Sequence, residues 1–73
     1  MERKLSYVVF WEEGAFVARC LDIDVASDGP TEQEAVVSLK EALELYFDGH
    51  KDALMELPCR SYRFGQVAIH AKG

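Results

Sequence analysis

Residues 31–47 read Thr31-Glu32-Gln33-Glu34-Ala35-Val36-Val37-Ser38-Leu39-Lys40-Glu41-Ala42-Leu43-Glu44-Leu45-Tyr46-Phe47. Apolar residues recur here at Ala35, Val36, Leu39, Ala42, Leu43, Tyr46 and Phe47, the three-and-four spacing of a helix with one buried stripe. Gln33, Lys40, Glu41, Glu44 and Asp48 form the opposite, polar face. The start is well marked. Pro30 stops whatever precedes it, Thr31 can cap, and Glu34 stands three residues on, where its carboxylate can reach back to the Thr31 backbone N–H as a capping box. Glu32 and Glu34 also suit the positive end of the helix dipole. Gly49 is a natural C-terminal stop. His50, Leu54 and Leu57 prolong the apolar spacing to Pro58, so continuation and restart beyond Gly49 both stand.

An amphipathic helix must lie on an apolar layer, and the residues before it supply one. Leu5–Trp11 is mostly β-branched and aromatic and reads as a strand. Glu12-Glu13-Gly14 follows, with Gly14 able to supply the positive φ of a tight hairpin. Ala15–Leu21 is the returning strand, with Phe16, Ala18 and Cys20 on one face and Val17, Arg19 and Leu21 on the other. Ile23–Ser27 reads as a third strand ended by the turn Asp28-Gly29-Pro30. After the helix, Tyr62–Ala71 has strand character again, with Gly65 as a bulge position. The order strand, strand, strand, helix, strand predicts an α+β domain: one mixed four-stranded sheet with a helix on one face. Strand one is apolar on both faces, with Leu5, Tyr7, Val9 and Trp11 on one side and Val8 and Phe10 on the other. One helix covers one face. The excess predicts a homo-oligomer, with Tyr7, Val9 and Trp11 as candidate interface residues.

Seventy-three residues make one domain, and 49% hydrophobic with 29% charged residues is the composition of a folded chain. So small a core is readily supplemented by self-association. The net charge of −5 argues against nucleic-acid binding, which wants a basic stripe that releases counterions. The basic residues are spread thinly, as Arg3-Lys4 near the start and Arg60, Arg63 and Lys72 near the end. An acidic domain suits a basic protein partner, whose approach it would steer. No leader-like segment precedes the first strand, and no apolar run approaches the ~20 residues of a membrane helix. The two cysteines, Cys20 and Cys59, are therefore expected to be reduced thiols in a cytoplasmic protein.

The search for chemistry gives little. Asp22, Asp24 and Asp28 form the tightest acidic cluster between hairpin and helix, but no carboxylate lies inside strand one or strand four to converge with them, as two-metal chemistry requires. EF-hand spacing fails, since the sixth position counted from Asp22 is not Gly and the twelfth is not Glu. His50 and His70 have no ligand-type neighbour at metal spacing. Cys20 sits among apolar strand residues, where a thiol is buried and inert. Tyr7, Phe10, Trp11, Phe16, Tyr62 and Phe64 could stack bases, but the acidic charge favours core and interface roles. The expectation is a protein that is no enzyme and has no metal and no cofactor.

The ordered set of elements resembles a known family. Tyr7-Val8-Val9-Phe10, the turn Glu12-Glu13-Gly14, and Phe16-Val17-Ala18-Arg19-Cys20 leading to Asp22 are similar to HicB-type antitoxins. So are Ala26-Ser27-Asp28-Gly29, Thr31-Glu32-Gln33-Glu34-Ala35 and the helix body Leu39-Lys40-Glu41-Ala42-Leu43. The match spans about Tyr7 to Phe47. The chain has Leu21-Asp22-Ile23-Asp24-Val25 where many relatives carry a Pro and a Gly. The resemblance implies a partial RNase H-like β-β-β-α-β fold that neutralises a small basic mRNA-cleaving toxin by direct contact. In that family a separate DNA-binding segment follows this domain. Here the last strand is expected to take up the tail, which predicts a single domain over 1–73 with no DNA-binding domain. Glu12 and Glu13 at the hairpin, with Glu34, Glu41 and Glu44 on the helix, are the candidate partner-binding residues. The alternative expectation is a stand-alone homo-oligomer of the same fold with a structural or ligand-binding role.

Overall fold

The computed structural model describes residues 2–71. Tyr7–Glu12 forms β1 and Ala15–Cys20 forms β2, joined as an antiparallel hairpin in which Tyr7 lies opposite Cys20 and Glu12 opposite Ala15. The two connecting residues, Glu13 (φ 50°) and Gly14 (φ 85°), both have positive φ. That is the type I′ geometry whose twist matches the strands it joins. Cross-strand pairing sets Trp11 against Phe16, ring centroids 4.8 Å apart and edge to face. The third strand, β3, is Ala26–Gly29, antiparallel to β2, so the described residues hold a three-stranded antiparallel sheet of order β1-β2-β3.

Helix α1 spans Glu32–Tyr46. Thr31 caps it, its hydroxyl oxygen accepting from the Glu34 N–H at 3.1 Å. The Glu34 carboxylate takes the Thr31 hydroxyl, at 3.3 Å, in place of the backbone N–H that a reciprocal capping box would offer it. The helix stops as Gly49 predicts, with Gly49 at φ 75°, and a short second helix, α2, restarts over Lys51–Met55. The buried core consists of Ala18, Cys20, Ala35 and Leu39, so Phe16, Ala18 and Cys20 do form the face turned to the helix. Phe47 is buried as its place in the stripe requires, whereas Tyr46 is largely exposed. Small residues at Ala18, Gly29 and Ala35 bring the helix close to the sheet. A Cβ on Gly29 would meet the Ala35 backbone nitrogen at 2.8 Å.

Two expectations are corrected. The third strand begins at Ala26 rather than Ile23 and runs through Gly29, because residues 21–24 form a bend. The Cys20 N–H donates to the Val25 carbonyl at 2.8 Å and the Val25 N–H to the Ile23 carbonyl at 2.9 Å, closing a compact turn. The β-branched Ile23 and Val25 pack against the core from this bend. The other correction concerns the tail. Tyr62–Ala71 joins no sheet, so the fourth strand of a mixed sheet is absent among the described residues. Strand propensity does not substitute for a paired edge, since an extended segment gains its ladder bonds only where another backbone is offered. Lys72 lies outside the described residues. The radius of gyration is 14.9 Å, against roughly 11 Å for a compact chain of this length. Among the described residues no helix is long and apolar enough to cross a membrane.

Candidate functional site

Helix α1 packs mainly over β2 and β3 and touches β1 little. This offset leaves an open groove between α1 and the outer side of β1. Its sheet side carries Leu5, Tyr7 and Val9, and its helix side Val36, Leu43 and Phe47. The larger part, toward α2, has a volume of about 570 Å³, and a second part of about 520 Å³ adjoins it through Tyr7 and Val36. The lining is mainly apolar, but it also includes the charged residues Glu2, Arg3, Glu32, Lys40, Glu44, Asp48 and Lys51, of both signs.

The same side of β1 offers free backbone groups. Leu21 donates its N–H to the Ser6 carbonyl at 2.9 Å while the Ser6 N–H goes to Asp22, so residues 6 and 21 occupy a hydrogen-bonding position of the ladder with one of its two bonds made. Antiparallel strands alternate bonded and non-bonded pairs. Hence Val8, Phe10 and Glu12 turn their peptide groups toward β2, and Tyr7, Val9 and Trp11 turn theirs outward. Val9 packs against the core, whereas Tyr7 and Trp11 are 47% and 60% exposed. The three candidate interface residues thus share the helix-side face and also carry the free edge. The face away from the helix presents Val8, Phe10 and Val17, only partly covered.

The five candidate glutamates do not form one cluster. Glu12 and Glu13 stand at the hairpin tip, and Glu34 is held in the α1 cap at the same end, since Gly29 pairs with Phe16 and abuts Glu34. Glu41 and Glu44 lie further along α1, and of the five only Glu44 lines the groove. The aspartates do not converge either. Asp22 accepts from the Ser6 N–H at 2.8 Å and the Tyr62 hydroxyl at 2.7 Å, Asp24 pairs with Arg19 at 3.0 Å, and Asp28 is an exposed β3 residue. Among the described residues no three His, Cys, Asp or Glu side chains are grouped to hold a metal. Cys20 is buried and Cys59 exposed, both as free thiols.

Two anchors were not legible beforehand. Arg3 donates through its guanidinium to the carbonyls of Leu54, Met55, Leu57 and Pro58, satisfying the acceptors at the end of α2. Tyr62 donates to Asp22 and, at 3.2 Å, to the Leu21 carbonyl, pinning the root of the tail at the foot of the sheet. Both link residues forty or more positions apart, and no local spacing announces such a pair.

Partial burial pushes the Asp22 carboxyl up, but the Tyr62 hydroxyl, the Ser6 N–H and the nearby Arg3 and Arg60 charges outweigh it and hold the group below its ordinary 3.8. Bonding to Asp22 raises the Tyr62 hydroxyl above its ordinary 10.0. A depressed carboxylate stabilises the fold above its unfolded pKa and loses that contribution as pH falls through the folded value. A raised phenol loses its contribution as pH climbs through its own folded value. The pair therefore stabilises the fold fully between pH 3.8 and pH 10.0. Asp22→Asn is expected to melt below the wild type at neutral pH, with the gap closing in thermal melts taken at progressively more acid pH below 3.8.

No protein-family model, no curated protein and no solved structure matches the chain.

Proposed function

We propose that this domain is a protein-binding module of the HicB-antitoxin type, working in the cytoplasm, that neutralises a small basic mRNA-cleaving protein by direct contact and has no catalytic activity of its own. The observation that carries this reading is the open groove beside β1: a mainly apolar trough lined by Tyr7 and Val9, whose outward backbone groups continue along the same strand edge to Trp11. Free edges and apolar grooves are where proteins accept an extended segment from another chain. Charge supports a basic partner, because all thirteen acidic residues lie within 1–56, against five basic ones there. In this reading the partial RNase H-like sheet is completed to four strands at the β1 edge. Glu12, Glu13 and Glu44 then meet the partner's basic residues.

Co-expression with the product of a short basic reading frame adjacent to the gene tests this. The expected result is a stable complex in which RNA cleavage by the basic protein is suppressed, with affinity falling as salt rises. Absence of a complex, with RNA cleavage undiminished, contradicts the reading. A second reading, a stand-alone homo-oligomer, is favoured by the tail, where Phe64, Val67 and Ile69 are 73%, 83% and 83% exposed.

A further inference from the structure

We propose that residues 63–71 of one copy add as an edge strand to β1 of a second copy and fill the groove between its β1 and α1, reciprocally, so that two chains close into a strand-exchanged dimer. The inference uses only this chain's own edge and tail, and it goes beyond the toxin reading: a toxin segment would have to displace the partner's tail, because both would occupy the same β1 edge.

Four observations meet here. Tyr7, Val9 and Trp11 turn unpaired N–H and C=O groups outward along β1, and among the described residues no backbone group of 59–71 has a protein hydrogen-bond partner either. The two rows are complementary and each lacks what the other offers. The side chains also match. In an extended tail Val67 and Ile69 fall on one side, suited to the apolar groove, while Phe64 and Ala68 fall on the other, beside the partly covered Val8 and Phe10.

Charge gives the third match. Residues 1–56 carry a formal charge of −8, and 57–73 carry +3 with no acidic residue at all. Within the docking strand 63–71 the only charged side chain is Arg63, with Arg60 just before it and no carboxylate, so the strand meets no like-charge repulsion from the anionic body, and the same segregation disfavours docking of body on body. Shape gives the fourth. The molecule extends 51 Å along its longest axis but only 29 and 17 Å along the others. The tail is pinned at Tyr62 and largely exposed beyond it, presenting Phe64, Val67 and Ile69 away from its own core. Nine extended residues reach roughly 30 Å, more than the ~20 Å of a six-residue strand such as β1. A second copy offers one groove for each tail, and a two-fold arrangement satisfies both at once.

Size-exclusion chromatography with light scattering on the full chain at micromolar concentration tests the proposal, beside two variants checked for native circular dichroism. Val67→Asp/Ile69→Asp places charges where the groove is apolar, on side chains exposed in the single chain. Tyr7→Pro removes an outward N–H at the first residue of β1, where proline is tolerated. The expected result is twice the chain mass for the wild type, at least a tenfold weaker self-association for each variant alone, and partial recovery of dimer on mixing the two. A wild-type monomer overturns the proposal, as does a dimer whose mass neither variant changes.

Discussion

Gly29→Val is expected to lower the melting temperature by about 10 °C or more. The residue sits in β3 where α1 begins. A Cβ there would lie 2.8 Å from the Ala35 nitrogen, 3.0 Å from the Glu34 carbonyl carbon and 3.1 Å from the Glu34 Cβ. Two of these three atoms are helix backbone, so no rotamer change relieves the clash. The first turn of α1 must lift off the sheet, exposing Ala18 and Ala35, both fully buried. Overpacking of this kind costs about 1–3 kcal/mol and occasionally more. A domain of this size commands only about 4–11 kcal/mol in all, and each kcal/mol moves Tm by roughly 4–8 °C. Thermal melts at one fixed protein concentration should show a drop of about 10 °C or more. A melting point within a degree or two of the wild type would mean that the helix does not approach the strand so closely.

Leu39→Ala has the other large expected effect. The core cluster is made of small residues apart from Leu39, which is 2% exposed. Its truncation leaves a cavity that neighbours on a sheet cannot readily close, at a cost of about 2–4 kcal/mol. Urea titration should show a lower midpoint with an unchanged slope. Leu45→Ala, six residues on but 77% exposed, serves as the control and should change stability by less than about 0.5 kcal/mol. Equal losses for the two variants would contradict the assignment of the buried stripe.

These two residues also show what could be read beforehand. Leu39 falls on the stripe that the three-and-four spacing predicts, and Thr31, Gly14 and Gly49 take the cap, turn and stop roles their chemistry suggests. Gly29 does not. Beside Asp28 and Pro30 it resembles a turn residue, whereas it is a strand residue that must be glycine because a helix presses on it. The bend at 21–24 hid behind Ile23 and Val25 for a related reason. Its shape comes from Asp22 reaching Ser6 and Tyr62, partners set by tertiary structure, together with the local bond from the Cys20 N–H to the Val25 carbonyl. The tail is the converse case. Its alternation of apolar residues announces a strand, but alternation says nothing of whose sheet the strand joins.

The groove itself was legible only in part. Tyr7, Val9 and Trp11 were marked by excess hydrophobicity, yet their outward peptide groups follow from the register of β1 on β2, and the groove from the offset of α1 toward β3. The dispersed glutamates illustrate the opposite limit, since residues alike in charge end at different places on the surface.

Backbone hydrogen exchange at Val9 and Trp11 tests most directly whether the β1 edge is a binding surface filled by a strand, because these N–H groups have no partner among the described residues. In the full-length protein at micromolar concentration both amides should exchange slowly, together with alternate amides of residues 63–71, and all of these should become fast in Val67→Asp/Ile69→Asp. Fast exchange at Val9 and Trp11 in the wild type, or protection there that the tail substitution leaves intact, would contradict it.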